Sequence, residues 1–386
     1  MTSLKIQNPK NPFSNESKMR LLKSQNSNYL YHTISSKDNQ NKNLDLPLVV
    51  DTEFTSDAGR YGLCEGRLGL TIQIKGIDTE AQAKIYDHPH LIEYCAREGL
   101  EPKFEPTRHD FFPLTYLEDV TGIKVQCLNM GEGTDKPQYP SQEEKSNYPS
   151  LTVVLYAHFA LAELFMLGND DFNHNLKQDL FTKRGGCYEM TKRLRTATYT
   201  PDGQQVADSV WTQYWVKLDG EIYLLKIKII DTCALHGVAS YEDIGKNVGI
   251  ELNFKSNYTQ AEKENMLSNY FEDSERFKNY ALGDLEVYNF LVENAAKFEQ
   301  IYEMLGLSEY YKPPKLTIGS NNNQLCEASL KKRFEVNHND KDGRVMLMSL
   351  VRVASGKNLK KHTTSTRALL AKVRGGRAFN NRPTHP

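Results

Sequence analysis

The feature that most constrains the fold is a short apolar run, LPLVV at residues 46–50, followed at once by Asp51 and Glu53. Such a run is typical of a buried strand, and residues 69–77 (GLTIQIKGI) could pair with it as a hairpin. Side chains at i and i+2 of a strand share a face, so both carboxylates point the same way. Neighbouring buried acids repel each other unless a cation joins them, and their oxygens suit Mg²⁺ or Mn²⁺. The alternative is a solvated pair of acids at a strand end.

The remaining hydrophobic pattern predicts an α/β fold. Strands come mostly first and helices later, with some interleaving, which favours a mixed sheet flanked by helices over a doubly wound sheet. The strong turn signal Asp219-Gly220 predicts a hairpin. The other predicted segments are a strand at 150–156 leading into a helix at 159–167, helices near 240–248, 259–272 and 275–305, a break at 312–315, and weaker helices near 343–354 and 363–373.

Composition divides the chain into three parts. Residues 1–44 are rich in Asn, Ser and Lys and predict a flexible leader. Residues 45–310 carry the core, with 78–150 predicted as a mainly polar surface insertion, and residues 311–386 form a basic extension. From residue 331 onward there are 14 basic and three acidic residues, against 34 basic and 46 acidic in the rest. A basic arm favours an acidic partner, nucleic acid first, although it could instead fold back onto the acidic body.

Several classes of protein are disfavoured. No stretch reaches 18 uninterrupted apolar residues, and the N-terminus lacks the apolar core of a signal peptide, so we expect a soluble, cytoplasmic protein without a membrane partner. Six scattered cysteines without a CxxC pair argue against a disulfide framework or a zinc ribbon. The pair His88 and His90 would need further ligands to hold zinc.

Two more segments carry candidate functional residues. Glu163 stands alone among apolar residues in YAHFALAELFML, where it either needs a partner or faces water. Tyr280 and Asp284 are four residues apart in the helical segment NYALGDLEVYNFL and therefore share one helix face. A phenol beside a carboxylate could orient a water molecule, and an ordinary surface pair is the alternative.

Taken in order, these segments resemble the DEDD superfamily of 3′–5′ exonucleases, Tyr subclass, and in particular the proofreading exonuclease domain of family B-like DNA polymerases. The resemblance spans roughly residues 45–305 and includes residues 225–249 (LKIKIIDTCALHGVASYEDIGKNVG), with its "DT" and its Ser- and Gly-containing short helix. It implies a ribonuclease H-like (DnaQ-like) mixed sheet flanked by helices.

The resemblance also implies roles for individual residues. Asp51, Glu53 and Asp284 would hold two Mg²⁺ or Mn²⁺ ions, and Tyr280 would position the attacking water. Glu163 would be the acid of the second motif, where the family has Asp, so its side chain is one methylene longer. The Asn that the family has upstream is replaced by His158 or Phe159, and the fallback candidates for the second-motif acid are Asp170, Asp171 and Asp231.

The C-terminal segment VRGGR, residues 373–377, resembles in part the Tyr-x-Gly-Gly element between the exonuclease and polymerase domains of family B enzymes, with Val373 in place of Tyr. Arg374, Arg377 and Arg382 are the predicted nucleic-acid-binding residues, since guanidinium groups bind phosphate in a bidentate manner. We find no polymerase motifs, so a polymerase domain or subunit is a predicted partner rather than part of this chain.

The expected function is a metal-dependent 3′–5′ exodeoxyribonuclease that hydrolyses single-stranded DNA or a primer 3′ end, in proofreading during DNA replication. The alternatives are an exonuclease of the same fold acting on RNA and a catalytically impaired nucleic-acid-binding module or scaffold for a polymerase. The sequence leaves open whether the chain is a fragment, a split gene product or a stand-alone enzyme.

Overall fold

The structure is a computed structural model. It describes residues 22–23, 28–29, 32–33, 43–55, 68–77, 83–128, 149–170, 172–173, 176, 180–183, 187–190, 198–199, 205–207, 215–234, 239–252, 258–336, 340–343 and 345–347. The chain forms two compact units, one comprising Met1–Cys233 and Ala239–Leu291 and the other Ala234–Val238 and Val292–Pro386.

All the strands in the described residues belong to the first unit. They are β1 Leu22–Lys23, β2 Asn28–Tyr29, β3 His32–Thr33, β4 Leu44–Thr55, β5 Leu68–Gly76, β6 Lys84–Asp87, β7 Glu105–Pro106, β8 Val125–Leu128, β9 Ser150–Ala157, β10 Leu180–Lys183, β11 Cys187–Met190, β12 Thr198–Tyr199, β13 Gln205–Ala207, β14 Trp215–Leu218 and β15 Glu221–Asp231.

Within the described residues, eleven of these strands form one mixed sheet in the order β10-β11-β15-β9-β4-β5-β6-β7, with β1 beside β4 and with β14 joining β15 to β8. Strand β9 lies at the centre and runs parallel to both β4 and β15. Strands β5 and β6 continue from β4 in antiparallel fashion. The predicted α/β class with a mixed sheet is therefore confirmed.

Two hairpins predicted from the sequence are present. Strands β4 and β5 pair antiparallel, as the apolar runs indicated. Strands β14 and β15 pair around Asp219 and Gly220, whose φ values are 47° and 92°. Two consecutive positive φ values are what a two-residue hairpin turn with the right-handed twist requires, and Asp-Gly supplies them at little steric cost.

The helices are α1 Pro89–Glu98, α2 Pro113–Thr121, α3 Ala160–Glu163, α4 Tyr241–Val248, α5 Gln260–Lys263, α6 Met266–Glu272, α7 Ser274–Gly283, α8 Val287–Met304 and α9 Ile318–Arg333, with 3₁₀ turns at Leu164–Met166, Thr232–Ala234, Asp284–Glu286 and Ser308–Tyr310. The helix predicted over 275–305 is thus interrupted at Asp284. Helix α9 was not predicted, because its SNNNQ segment has low helix propensity and its apolar residues are few.

Two hydrophobic clusters support the sheet. The larger includes alternate residues of β4, among them Leu46, Leu48 and Val50, together with side chains from α2, α3, β9 and β15. The other joins Leu68 and Leu70 of β5 to side chains from α1, α6 and α7. Burial on both faces explains why β4 and β9 read as nearly continuous apolar runs rather than as alternating ones.

The structure describes the predicted parts of the chain to different extents. Most of the 1–44 leader lies outside the described residues; its described pieces are the short strands β1 to β3 and residues 43–44, where β4 begins. The proposed surface insertion at 78–150 contributes β6 to the sheet and fully buried side chains such as Tyr86, Phe111 and Tyr116 to the core. Its aromatic residues are spaced irregularly, so their burial left no periodic signal in the sequence.

The second unit has a small core of its own. Phe298, Tyr302, Leu307, Tyr310 and Ala328 pack together in it. Most of the basic extension after residue 336 lies outside the described residues. In the described part of the chain, no helix combines the length and the apolar character needed to span a membrane.

Candidate metal centre

Asp51 and Glu53 lie near the end of β4, and both are partly exposed, whereas Thr52 between them is buried. The alternation places the two carboxylates on one face of the strand, as predicted, and Thr52 on the other. The register between β4 and β5 shifts between Glu53 and Phe54. Irregularities of this kind bend a strand and redirect its side chains, and they are frequent beside active sites.

Asp284 and Tyr280 come from the junction of α7 and α8. Both are buried, with 5% and 7% of their surface exposed. Asp284 begins the 3₁₀ turn at which the helix is interrupted, and Leu285 within that turn has non-helical backbone angles. The Tyr280 ring packs edge-on against the ring of Tyr258, with centroids 4.8 Å apart.

These elements bring three acids together. Among the described residues, Asp51, Glu53 and Asp284 form the group of potential metal ligands, with one oxygen of each within 4.8 Å of the others. These are the three acids for which the resemblance implied a role as metal ligands. The negative charge of this group affects a neighbouring phenol. Burial raises the pKa of Tyr241 well above its ordinary value, and the charges of Asp284 and Asp51 raise it further.

The acidic group opens into a cavity of about 370 Å³. Phenylalanine, tyrosine and histidine side chains line it together with the acids. The lining residues are Asp51, Thr52, Glu53, Phe54, His158, Phe159, Ala162, Glu163, Ser240, Tyr241, Tyr280 and Asp284.

Glu163 reaches this cavity from α3 but is not a member of the three-acid group. It is 5% exposed, and one of its carboxylate oxygens accepts a short hydrogen bond from the Thr52 hydroxyl. This bond ties α3 to β4, the strand that carries both acids. The expectation that Glu163 needs a partner is met by Thr52.

The turn that precedes α3 is held by the end of β15. Phe159 has a φ of 56°, in the left-handed region that a phenylalanine rarely adopts, and 45% of its surface is exposed. The carboxylate of Asp231 accepts hydrogen bonds from the backbone N–H groups of Phe159, Ala160 and Cys233. Burial nevertheless raises the pKa of Asp231. Asp231 therefore stabilises a strained turn that presents an aromatic ring to the cavity.

The other half of the "DT" pair supports the same turn. The Thr232 hydroxyl lies 3.2 Å from Nδ1 of His158 and donates to the carbonyl oxygen of Ala157 at 3.3 Å. The buried His158 ring packs edge-on against Phe159, with centroids 4.7 Å apart. Thr232 thereby connects the end of β15 to the end of β9.

The remaining candidates lie elsewhere. Asp170 is exposed and contacts Nε2 of His90 at 3.0 Å, away from the three acids. The rings of His88 and His90 are tilted against each other with centroids 4.5 Å apart, but they do not belong to a group of three or more potential ligands in the described part of the chain. Asp171, Arg374, Arg377 and Arg382 lie outside the described residues.

Sequence reasoning missed Thr52 and Tyr241 as members of the site. Thr52 lies between two acids that were themselves the candidate ligands, and its hydrogen-bond partner is distant in the chain. Tyr241 had a weak signal, since it follows Ser240, whose side chain caps α4 by accepting from the N–H of Asp243 at 3.1 Å. A capping residue marks where a helix begins, so Ser240 indicated that Tyr241 is the first residue of α4.

No family model matches the chain, and comparisons with curated proteins and with solved structures returned no match.

Proposed function

We propose that this chain is a divalent-metal-dependent 3′–5′ exonuclease with a ribonuclease H-like core, acting on single-stranded DNA or the unpaired 3′ end of a primer. The observation that carries the proposal is the convergence of Asp51, Glu53 and Asp284 at one cavity. The mixed sheet flanked by helices is compatible with such a core. Tyr280 in the same cavity supports the Tyr subclass of DEDD enzymes in particular.

The residues fit a divalent cation. Three carboxylates with oxygens within 4.8 Å concentrate negative charge, and oxygen donors are the ligands that Mg²⁺ and Mn²⁺ prefer. Asp51, Glu53 and Asp284 would hold the ions. When bound, such ions supply charge stabilisation for a phosphodiester and lower the pKa of a water molecule.

The other side chains of the cavity have complementary roles. Tyr280 lies one helical turn before Asp284, where its phenol positions the attacking water. Phe159 offers an exposed ring at the cavity wall, and aromatic rings stack on unpaired bases without regard to sequence. These two residues support a nucleic acid end as the substrate rather than a small phosphate ester.

A second candidate function is a nucleic-acid-binding module or polymerase scaffold without catalysis. The observation that favours it is the hydrogen bond between Glu163 and Thr52, since it engages the second-motif acid while Glu163 stays outside the group of three acids. Under this alternative, the cavity binds a metal ion and an oligonucleotide, but it lacks an acid in the position needed for hydrolysis.

The test is the digestion of a 5′-labelled single-stranded DNA oligonucleotide by the purified protein with Mg²⁺, with Mn²⁺ and with EDTA. We expect a ladder that shortens from the 3′ end, and no ladder with EDTA or for Asp51→Ala. An RNA oligonucleotide of the same sequence run in parallel decides which sugar the site prefers.

Glu275→Ala is the matched control, since Glu275 is an exposed acid on the helix that carries Tyr280 but does not line the cavity. Hydrolysis that is the same in Asp51→Ala as in the wild type would refute the site. Metal-dependent binding of the oligonucleotide without any hydrolysis would favour the non-catalytic module.

The C-terminal arginines belong to the same proposal as contacts to the nucleic acid backbone and as the link to a polymerase domain or subunit. Replacing Arg374, Arg377 and Arg382 together by Ala should lower the slope of log affinity against log salt by about 2 for single-stranded DNA. Fluorescence anisotropy at several salt concentrations measures this slope. An unchanged slope would mean that these arginines do not contact phosphate.

A further inference from the structure

Tyr241 has a position in the cavity that the proposed chemistry does not use. It is the first residue of α4, is 7% exposed and lines the cavity beside Ser240 and Asp284. The hydroxyl of a buried phenol is expected to form hydrogen bonds, because leaving it without one costs free energy. The hydroxyl of Tyr241 forms such bonds with backbone groups.

The hydroxyl of Tyr241 contacts the backbone on both sides of Asp284. It accepts a hydrogen bond from the N–H of Glu286 at 2.9 Å and donates one to the carbonyl oxygen of Gly283 at 3.3 Å. In an uninterrupted α-helix these two groups would bond to residues 282 and 287. At the 3₁₀ turn Asp284–Glu286 the helix is interrupted, and the phenol bridges the interruption.

The ring that carries this hydroxyl is itself fixed. Its centroid lies 4.8 Å from that of Phe290, a fully buried residue of α8. It also lies 5.6 Å from the ring of His158 at the end of β9. Tyr241 therefore connects three elements, α4, the end of β9 and the turn before α8, and its hydroxyl cannot move far from that turn.

We infer that Tyr241 is a positioning residue for the metal centre: its hydroxyl fixes the turn from Gly283 to Glu286, so that the Asp284 carboxylate stays against Asp51 and Glu53. This inference rests on the proposed function, because it presumes that the three acids hold a cation. Tyr241 does not touch the reacting atoms in this assignment. It acts through the backbone that presents Asp284.

The physical reason is the repulsion among the three acids. Before a cation binds, like charges within 4.8 Å push the carboxylates apart, and Asp284 lies at a turn that interrupts a helix. A hydrogen-bonded brace at that turn keeps the site in its binding geometry, so that less of the binding free energy is spent on ordering it.

The test is Tyr241→Phe, which keeps the ring and its packing and removes the hydroxyl. We expect the Kd for Mn²⁺, followed by electron paramagnetic resonance, to rise about tenfold, the lower end of the effect of removing a group that orients a metal ligand. The Mg²⁺ concentration for half-maximal hydrolysis should rise by the same factor, while the rate at saturating Mg²⁺ stays within about twofold of the wild type.

Tyr288→Phe is the matched control, since it removes a phenol hydroxyl from α8 while the ring of Tyr288 packs on Tyr156 rather than on the turn. Amide hydrogen exchange in a peptide containing Glu286 is a readout that needs no metal, and it should accelerate in Tyr241→Phe alone. If a variant is less stable, the rise in its melting temperature on addition of Mn²⁺ still compares its affinity for the ion with that of the wild type.

The outcomes separate the inference from the function. Wild-type protein that binds Mn²⁺ no better than Asp51→Ala overturns both. Wild-type protein that binds Mn²⁺ through Asp51, with an unchanged Kd and unchanged exchange in Tyr241→Phe, overturns the inference and leaves the function standing. A raised Kd that excess metal overcomes, together with faster exchange at Glu286, supports both.

Discussion

Carboxylates in two regions of the first unit have opposite surroundings. At Asp87, which is fully buried, donors converge on one carboxylate: the Tyr270 hydroxyl at 2.5 Å and the N–H of Phe104 at 2.7 Å. At the candidate metal centre, three carboxylates converge on one another instead. Donors stabilise an acid for a structural role, whereas acids that converge create a site whose charge a cation can balance.

The largest expected effect distinguishes the two regions by activity. Asp284→Asn should lower the metal-dependent rate of oligonucleotide hydrolysis by about a thousandfold or more, since metal ligands support several kcal/mol of transition-state stabilisation. Asp87→Asn should leave that rate within a few-fold of the wild type. Equal losses in both variants would contradict the distinction between the two regions.

The next effect distinguishes them by pH. Burial raises the pKa of Asp87 from 3.8 to about 6, although its two hydrogen bonds oppose the shift. The folded protein then holds this proton more tightly than the unfolded chain. Stability from the protonated form is fully present below pH 3.8 and is lost as the pH rises to about 6, by roughly 2–3 kcal/mol at most.

Denaturant unfolding at a series of pH values from 3.5 to 7 measures this dependence. Asp87→Asn should reduce the loss of stability over this interval, because the amide does not titrate. If the variant and the wild type lose the same stability between pH 4 and 6, then Asp87 is not the group responsible.

A smaller effect concerns Glu163, which shares features of both regions: it lines the cavity of the metal centre, but its carboxylate accepts a hydrogen bond. Glu163→Gln keeps an oxygen acceptor for the Thr52 hydroxyl, and we expect the hydrolysis rate to fall by only about tenfold if Glu163 acts by holding β4. Glu163→Ala, which leaves the Thr52 hydroxyl buried without this acceptor, should lose more. A Gln variant as inactive as Asp284→Asn would show instead that the charge of Glu163 is needed at the centre.

The smallest effect concerns the strained turn at Phe159. Phe159→Ala and Phe159→Gly should weaken single-stranded DNA binding equally, by about tenfold, because both remove the ring. The Gly variant should be more stable to denaturant than the Ala variant by about 1–2 kcal/mol, since glycine adopts the positive φ without strain. Unequal affinities would indicate that the backbone of the turn, not the ring, contacts the nucleic acid.

Local patterns in the sequence predicted a good part of this arrangement. The apolar runs of β4, β5 and β9 were identified because burial on both faces leaves an uninterrupted hydrophobic segment. The Asp219-Gly220 turn was identified because few residue pairs tolerate its backbone angles. By contrast, α9 and the buried aromatic residues at 83–128 were missed, since neither has a regular hydrophobic period.

The sequence by itself determined that Asp51 and Glu53 share one face of a buried strand, because that follows from the period of two along β4. It also placed Tyr280 and Asp284 on one helix face, by the period of the helix. Only the tertiary structure decided that Asp284 meets the other two acids, that Glu163 turns to Thr52, and that Tyr241 bridges the turn at Asp284. These contacts join residues far apart in the chain, so they depend on how the sheet and helices pack, which no local pattern encodes.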